Sequence, residues 1–146
     1  MLHHINEIFD HLYLGDAGFI YENKLPELSL VINCCPEVTI KYNKLNIKPD
    51  VVYLKFNDDP EESDKLLQIL DTTKILEKMH DYISRGKNVM VHCAMGVQRS
   101  ATIVACYLLK YYKATIETTI LHIKHRRPQS FENGVNFTKV LQHFRK

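Results

Sequence analysis

Residues 88–105 restrict the fold more than any other part of this chain. Asn88-Val89-Met90-Val91 is a short apolar run of the kind found in buried strands, and Ala101-Thr102-Ile103-Val104-Ala105 reads as the first turns of a buried helix. Only the loop His92-Cys93-Ala94-Met95-Gly96-Val97-Gln98-Arg99-Ser100 joins them. Strand, tight loop and helix together suit the recognition of phosphate. The first N–H groups of a helix lack partners and its dipole is positive there, so a dianion is stabilised at that point without a metal. Gly96 lets the backbone curl so that successive N–H groups point inward.

Each residue type in the loop then has a chemical use. Cys93 is the candidate nucleophile, because a thiolate at a helix N-terminus is stabilised by the same N–H groups. Arg99 offers a planar fork that matches two phosphoryl oxygens and holds them as charge spreads in the transition state. Ser100 can donate its hydroxyl proton to the Cys93 sulfur and make it a better leaving group. His92 is expected to position the loop through its ring N–H. Substrate binding is assigned to His92, Ala94, Met95, Gly96, Val97, Gln98 and Arg99. An isolated cysteine is usually inert core and an isolated arginine usually solvated, but here both stand at fixed spacing with Gly96 and Ser100 between a strand and a helix.

The pattern His92-Cys93-x-x-Gly96-x-x-Arg99-Ser100 resembles the signature of cysteine-based protein phosphatases, and most closely their dual-specificity group. Leu12-Tyr13-Leu14-Gly15-Asp16 is similar to that family's early strand and turn. Val31-Ile32-Asn33 and Leu54-Lys55-Phe56-Asn57-Asp58 resemble its next two strands, and Arg126-Arg127-Pro128 its late helix end. The resemblance runs over almost the whole chain. It implies an α/β fold with a central mixed, mostly parallel twisted sheet of about five strands flanked by helices. It also implies hydrolysis of phosphotyrosine and phosphoserine or phosphothreonine through phosphocysteine, with no metal and no cofactor.

Such chemistry needs a general acid for the leaving oxygen. Asp58 follows the apolar run Val51–Asn57, where the family carries its acid. The distance from Asp58 to Cys93 along the chain is longer than the family's usual one, which leaves Asp59 and Asp64 open. Asp59-Pro60 also reads as a helix cap followed by proline at the first position. Lipid-phosphatase relatives typically carry lysines within the loop, and RNA 5′-triphosphatase relatives show Asn before the arginine and Thr after it. This chain has Ala94, Met95, Val97, Gln98 and Ser100 instead. Gln98 itself departs from the Ser common in dual-specificity members. Without room for the insertion that deepens the pocket in tyrosine-specific relatives, a shallow pocket is expected. The alternatives are the same chemistry on an RNA 5′-triphosphate, a phosphoinositide or a phosphorylated sugar, or a phosphate-binding module without turnover, which would commonly lack the nucleophile.

A chain of 146 residues is expected to form a single domain over 1–146 and to fold without staples. A net charge of +2 gives only mild attraction for anions. Nucleic acid is not an expected partner; the resemblance implies a phosphorylated protein instead, and a monomeric state is expected. Lys124-His125-Arg126-Arg127 reads either as a helix end suited to the dipole or as a docking patch. No apolar run reaches membrane-spanning length and no signal peptide is evident, so an intracellular location, cytoplasm or nucleus, is expected. Cys34, Cys35, Cys93 and Cys106 form no disulfide framework. Cys106 reads as core. Cys35 reads either as a buried thiol or, by resemblance to lipid-phosphatase relatives, as a backdoor cysteine that traps oxidised Cys93.

The remaining pattern alternates strands and helices. Strands are predicted around 5–14, 30–35 and 51–57. Leu66, Ile69, Leu70, Ile75, Leu76, Met79 and Ile83 predict one long helix, closed by Arg85-Gly86-Lys87. Thr115 should cap a helix bearing Ile116, Ile120 and Ile123 that stops at Pro128. Phe137, Val140, Leu141 and Phe144 predict a last helix with a core-facing stripe.

Overall fold

The computed structural model describes residues 3–145. Five strands, β1 (Ile5–Phe9), β2 (Leu12–Gly15), β3 (Leu28–Asn33), β4 (Asp50–Tyr53) and β5 (Asn88–His92), form one sheet in the order β1-β2-β5-β3-β4. β1 and β2 pair antiparallel; every other pair is parallel. This is the mixed, mostly parallel α/β sheet expected from the sequence. β5 lies at its centre because a strand covered on both faces must be apolar throughout, and Val89, Met90 and Val91 are all fully buried.

The helices are α1 (Ser63–Thr73), α2 (Ile75–Ser84), α3 (Arg99–Tyr111), α4 (Ile116–Arg126) and α5 (Thr138–Phe144). α3 follows the loop directly. Residues 100–109 of it are buried on every side, since α3 touches β2, β5, α2, α4 and α5. A helix so enclosed needs apolar residues all round. Among the described residues, no helix is long and apolar enough to cross a membrane.

Four element boundaries differ from expectation, each for a local reason. The strand predicted at 5–14 is a hairpin, turned at His11 with φ 68°. The strand predicted at 30–35 starts at Leu28 and ends at Asn33, whose Oδ1 accepts the Cys35 N–H at 2.7 Å and so closes a side-chain turn in place of the ladder. The run 51–57 leaves the sheet after Tyr53, because β3, its one partner, has ended; Leu54 N–H bonds Asn33 O as the last rung. Leu54 and Phe56 still turn into the core.

The predicted long helix is two. Lys74 stands between α1 and α2 at φ 53°, ψ 35°. The hydroxyls of Thr72 and Thr73 bond back to the Gln68 and Ile69 carbonyls, competing with the helical ladder just before the break. The apolar period crosses the break because Leu66 and Leu70 of α1 enter the same core as Ile75, Leu76 and Met79 of α2. Gly86, at φ 73°, ends α2 as expected, and Thr115 caps α4 reciprocally with Thr118.

Candidate active site

The loop between β5 and α3 is shaped from outside. Four successive carbonyls are each held by a donor beyond the loop: Ala94 O by Ala17 N–H at 3.2 Å, Met95 O by Arg127 Nη2 at 3.3 Å, Gly96 O by Arg127 Nε at 3.0 Å and Val97 O by Phe131 N–H at 2.9 Å. In a planar trans peptide the N–H points opposite to the C=O. Drawing these carbonyls outward therefore turns the N–H groups of residues 95–98 toward the loop's interior, as a phosphate cradle requires. Gly96 N–H, the partner of Met95 C=O in one peptide, reaches Cys93 Sγ at 3.2 Å. Gly96 is needed twice over: its φ is 66°, and a Cβ would lie 2.5 Å from Arg127 Nη2 and 2.7 Å from Gly15 O.

Arg127 is the residue that the sequence least suggested. It sits in the basic run 124–127, yet its side chain is fully buried, which removes it from both the solvated-end and the docking-patch readings. Besides the two loop carbonyls it donates to His3 O, to Asn6 Oδ1 and, at 3.5 Å, to Asp16. Burial pulls its pKa down and Asp16 opposes that. The available signal was its position directly before Pro128 at a helix end, where the chain turns inward.

Cys93, 4% exposed, lies at the floor of a cleft of about 330 Å³ whose wall includes Asp58, Ala94, Met95, Val97, Gln98, Arg99 and Asn136. Its Sγ is 3.0 Å from Ser100 Oγ, the placement the sequence called for. Arg99 is fixed by Glu37, another residue missed by sequence reasoning. Nη1 and Nη2 donate to Oε1 and Oε2 at 3.0 Å each, and Nη1 also reaches Phe56 O at 3.4 Å. The two hydrogen bonds from Arg99 hold the Glu37 carboxyl below the usual carboxylate range. This grip uses one edge of the guanidinium fork and leaves the Nε edge for a ligand.

The three acid candidates separate cleanly. Asp58 lines the cleft with Cys93 and accepts a hydrogen bond from Asn136 Nδ2 at 2.7 Å. Asp59 caps the turn that precedes α1 by accepting Glu61 N–H, and Asp64 pairs with Lys139. His92 corrects the sequence reading in one respect. It is fully buried, so it touches no substrate. Its ring lies beneath the loop, against Tyr42 Oη at 2.7 Å and Cys35 Sγ at 3.7 Å, and meets the Cys93 backbone. Burial chiefly pushes its pKa down to about 4, so the ring is neutral. Cys35 is pushed up to about 12, first by burial and next by the charge of Cys93.

Residues 12–146 match the family model for the dual specificity phosphatase catalytic domain. The chain belongs to this family. Among dual specificity phosphatase relatives, the protein phosphatase Slingshot homolog of Xenopus laevis is 34% identical over 145 residues, covering 94% of this chain and 19% of that protein. The tyrosine phosphatase candidate 123R of Invertebrate iridescent virus 6 is 33% identical over 138 residues, covering 94% of this chain and 89% of the viral one. The chain spans a fifth or less of the length of the Slingshot relatives it matches. The crystal structure of human DUSP28 shares the dual specificity phosphatase fold, with a TM-score of 0.77 at 20% identity over 99% of this chain and 94% of that one.

Proposed function

We propose that this chain is a metal-independent protein phosphatase domain acting on phosphotyrosine and on phosphoserine or phosphothreonine, monomeric and located inside the cell. The observation that carries the reading is the convergence of Cys93, Arg99 and Asp58 on one cleft floored by inward-turned N–H groups.

The chemistry follows from that placement. Cys93 thiolate attacks phosphorus in line, and the bond to the side-chain oxygen breaks as Asp58 gives that oxygen its proton. The product is phosphocysteine. Asp58, now a carboxylate, takes a proton from water as the water oxygen attacks phosphorus. The P–S bond breaks, and Ser100 donates its hydroxyl proton to the departing sulfur as a hydrogen bond. Arg99 and the loop N–H groups hold the three remaining phosphoryl oxygens in both steps.

The absence of lysine among Ala94, Met95, Val97 and Gln98 supports protein phosphate over phosphoinositide as substrate. In Asp58→Asn the rate on a phosphothreonine peptide should fall by about 10²–10⁴-fold, and an unchanged rate in that variant would move the acid elsewhere.

A further inference from the structure

The general acid is tied to the phosphate loop through a residue that has no part in the loop's signature. Gln98 is the residue preceding α3, 6% exposed, and its side chain does not cap that helix. It crosses instead to the segment after α4. There its Oε1 accepts the Asn136 backbone N–H at 3.1 Å and its Nε2 donates to Gly134 O. The segment is docked a third time by Phe131 N–H on Val97 O. Phe131 at φ 56° and Gly134 at φ 92° bend it so that Asn136 faces Asp58.

We propose that Gln98 and Asn136 are positioning residues that orient the Asp58 carboxyl before substrate arrives. The proposal rests on the assignment of Asp58 as general acid. The Asn136 amide donates to Oδ1, so Oδ1 serves as acceptor and the transferable proton resides on Oδ2. Rotation of the carboxyl about its terminal bond would exchange the two oxygens, and the amide opposes it. Gln98 fixes the backbone that carries the amide, and Arg99 Nη1 fixes Phe56 O two residues before the acid. The helix start that binds phosphate thereby sets the distance to the proton donor. A serine, the common residue at position 98 in dual-specificity members, is too short to bridge to Gly134 and Asn136.

The test exploits the leaving group, since an alkoxide needs the proton and a nitrophenolate scarcely does. kcat/KM, which reports formation of phosphocysteine, is compared on a phosphothreonine peptide and on p-nitrophenyl phosphate. Loss of general acid catalysis is worth about 10²–10⁴-fold, and Asn136→Ala should lower the peptide-to-aryl ratio by roughly tenfold, as expected for a displaced rather than absent catalyst. Gln98→Ala should lower it in the same direction. Asn136→Leu keeps the approximate shape and the backbone bond to Gln98 but removes the donor without adding charge, so it should match Asn136→Ala and guards against a misfolded variant. Adding Asn136→Ala to Asp58→Asn should lower the ratio no further. Should Asp58→Asn lower the ratio while both Asn136 variants keep the wild-type value, the positioning role is overturned. A wild-type ratio in Asp58→Asn would overturn the acid assignment itself.

Discussion

Replacing Arg127 by Met should unsettle the phosphate loop and the fold together. Methionine keeps apolar bulk at a fully buried site and removes the donors to Met95 O, Gly96 O, His3 O, Asn6 Oδ1 and Asp16. A buried acceptor left alone costs about 1–3 kcal/mol. His3 is at the surface and Asp16 keeps bonds to Gly18 N–H and His4, so water and these partners offset part of the loss. Two loop carbonyls and Asn6 remain, which points to a destabilisation of about 3–5 kcal/mol, in line with breaking a buried charged network. That is a large part of the 5–15 kcal/mol typical of a domain and corresponds to a fall in Tm of roughly 10–16 °C. The chain has no tryptophan, so urea unfolding followed by far-ultraviolet circular dichroism is the suitable assay. With Met95 and Gly96 carbonyls released, the following N–H groups lose their inward bias. Inhibition by inorganic phosphate, measured at a temperature where both proteins are folded, should weaken by about tenfold, or ~1.4 kcal/mol. Arg127→Lys restores the charge but not the span between acceptors and should fall between the two. A variant within about 1 kcal/mol of wild type that binds phosphate equally well would refute the reasoning and show that the loop holds its own shape.

Three further outcomes follow from individual residues. His92 is neutral in the fold with its pKa near 4, below the ordinary 6.5, so the unfolded chain takes up the proton first. Its contribution is fully present above pH 6.5 and is lost as pH falls toward 4, by about 1.4 kcal/mol per pH unit; His92→Gln should show a shallower decline of unfolding free energy over that window, and equal slopes would contradict the assignment. Lys74 holds a left-handed conformation, so Lys74→Gly should raise stability by up to about 1 kcal/mol in thermal unfolding, whereas a loss would show that its side chain matters more than its backbone. We propose that peroxide converts the Cys93 thiolate to a sulfenic acid that condenses with the Cys35 thiol, releasing water and leaving a disulfide. Intact mass should then fall by two hydrogens in wild type and not in Cys35→Ser, and persistence in that variant would assign the partner elsewhere.

The placement of Cys93, Arg99 and Ser100 was legible in the sequence because they lie within one strand-loop-helix unit, where spacing alone fixes geometry. The sheet was legible for a related reason: buried strands such as β5 carry unbroken apolar runs. What escaped was contributed across long separations. Glu37 reaches Arg99 from 62 residues away and Asn136 reaches Asp58 from 78, and both stand in irregular segments with no periodicity to read. Arg127 was visible as one of four basic residues and as part of Arg126-Arg127-Pro128, but its contact with the loop was not, since charge in a sequence looks solvated until burial is known. The break at Lys74 escaped because apolar period reports which face meets the core, and α1 and α2 meet the same core.

The central claim is tested most directly by phosphate release from a peptide bearing phosphothreonine and phosphotyrosine, with EDTA present and Cys93→Ser as the blank. Release from both residues by the wild type, and from neither by the variant, is the predicted result. Failure to release phosphate from either residue, or release that persists in Cys93→Ser, would contradict it.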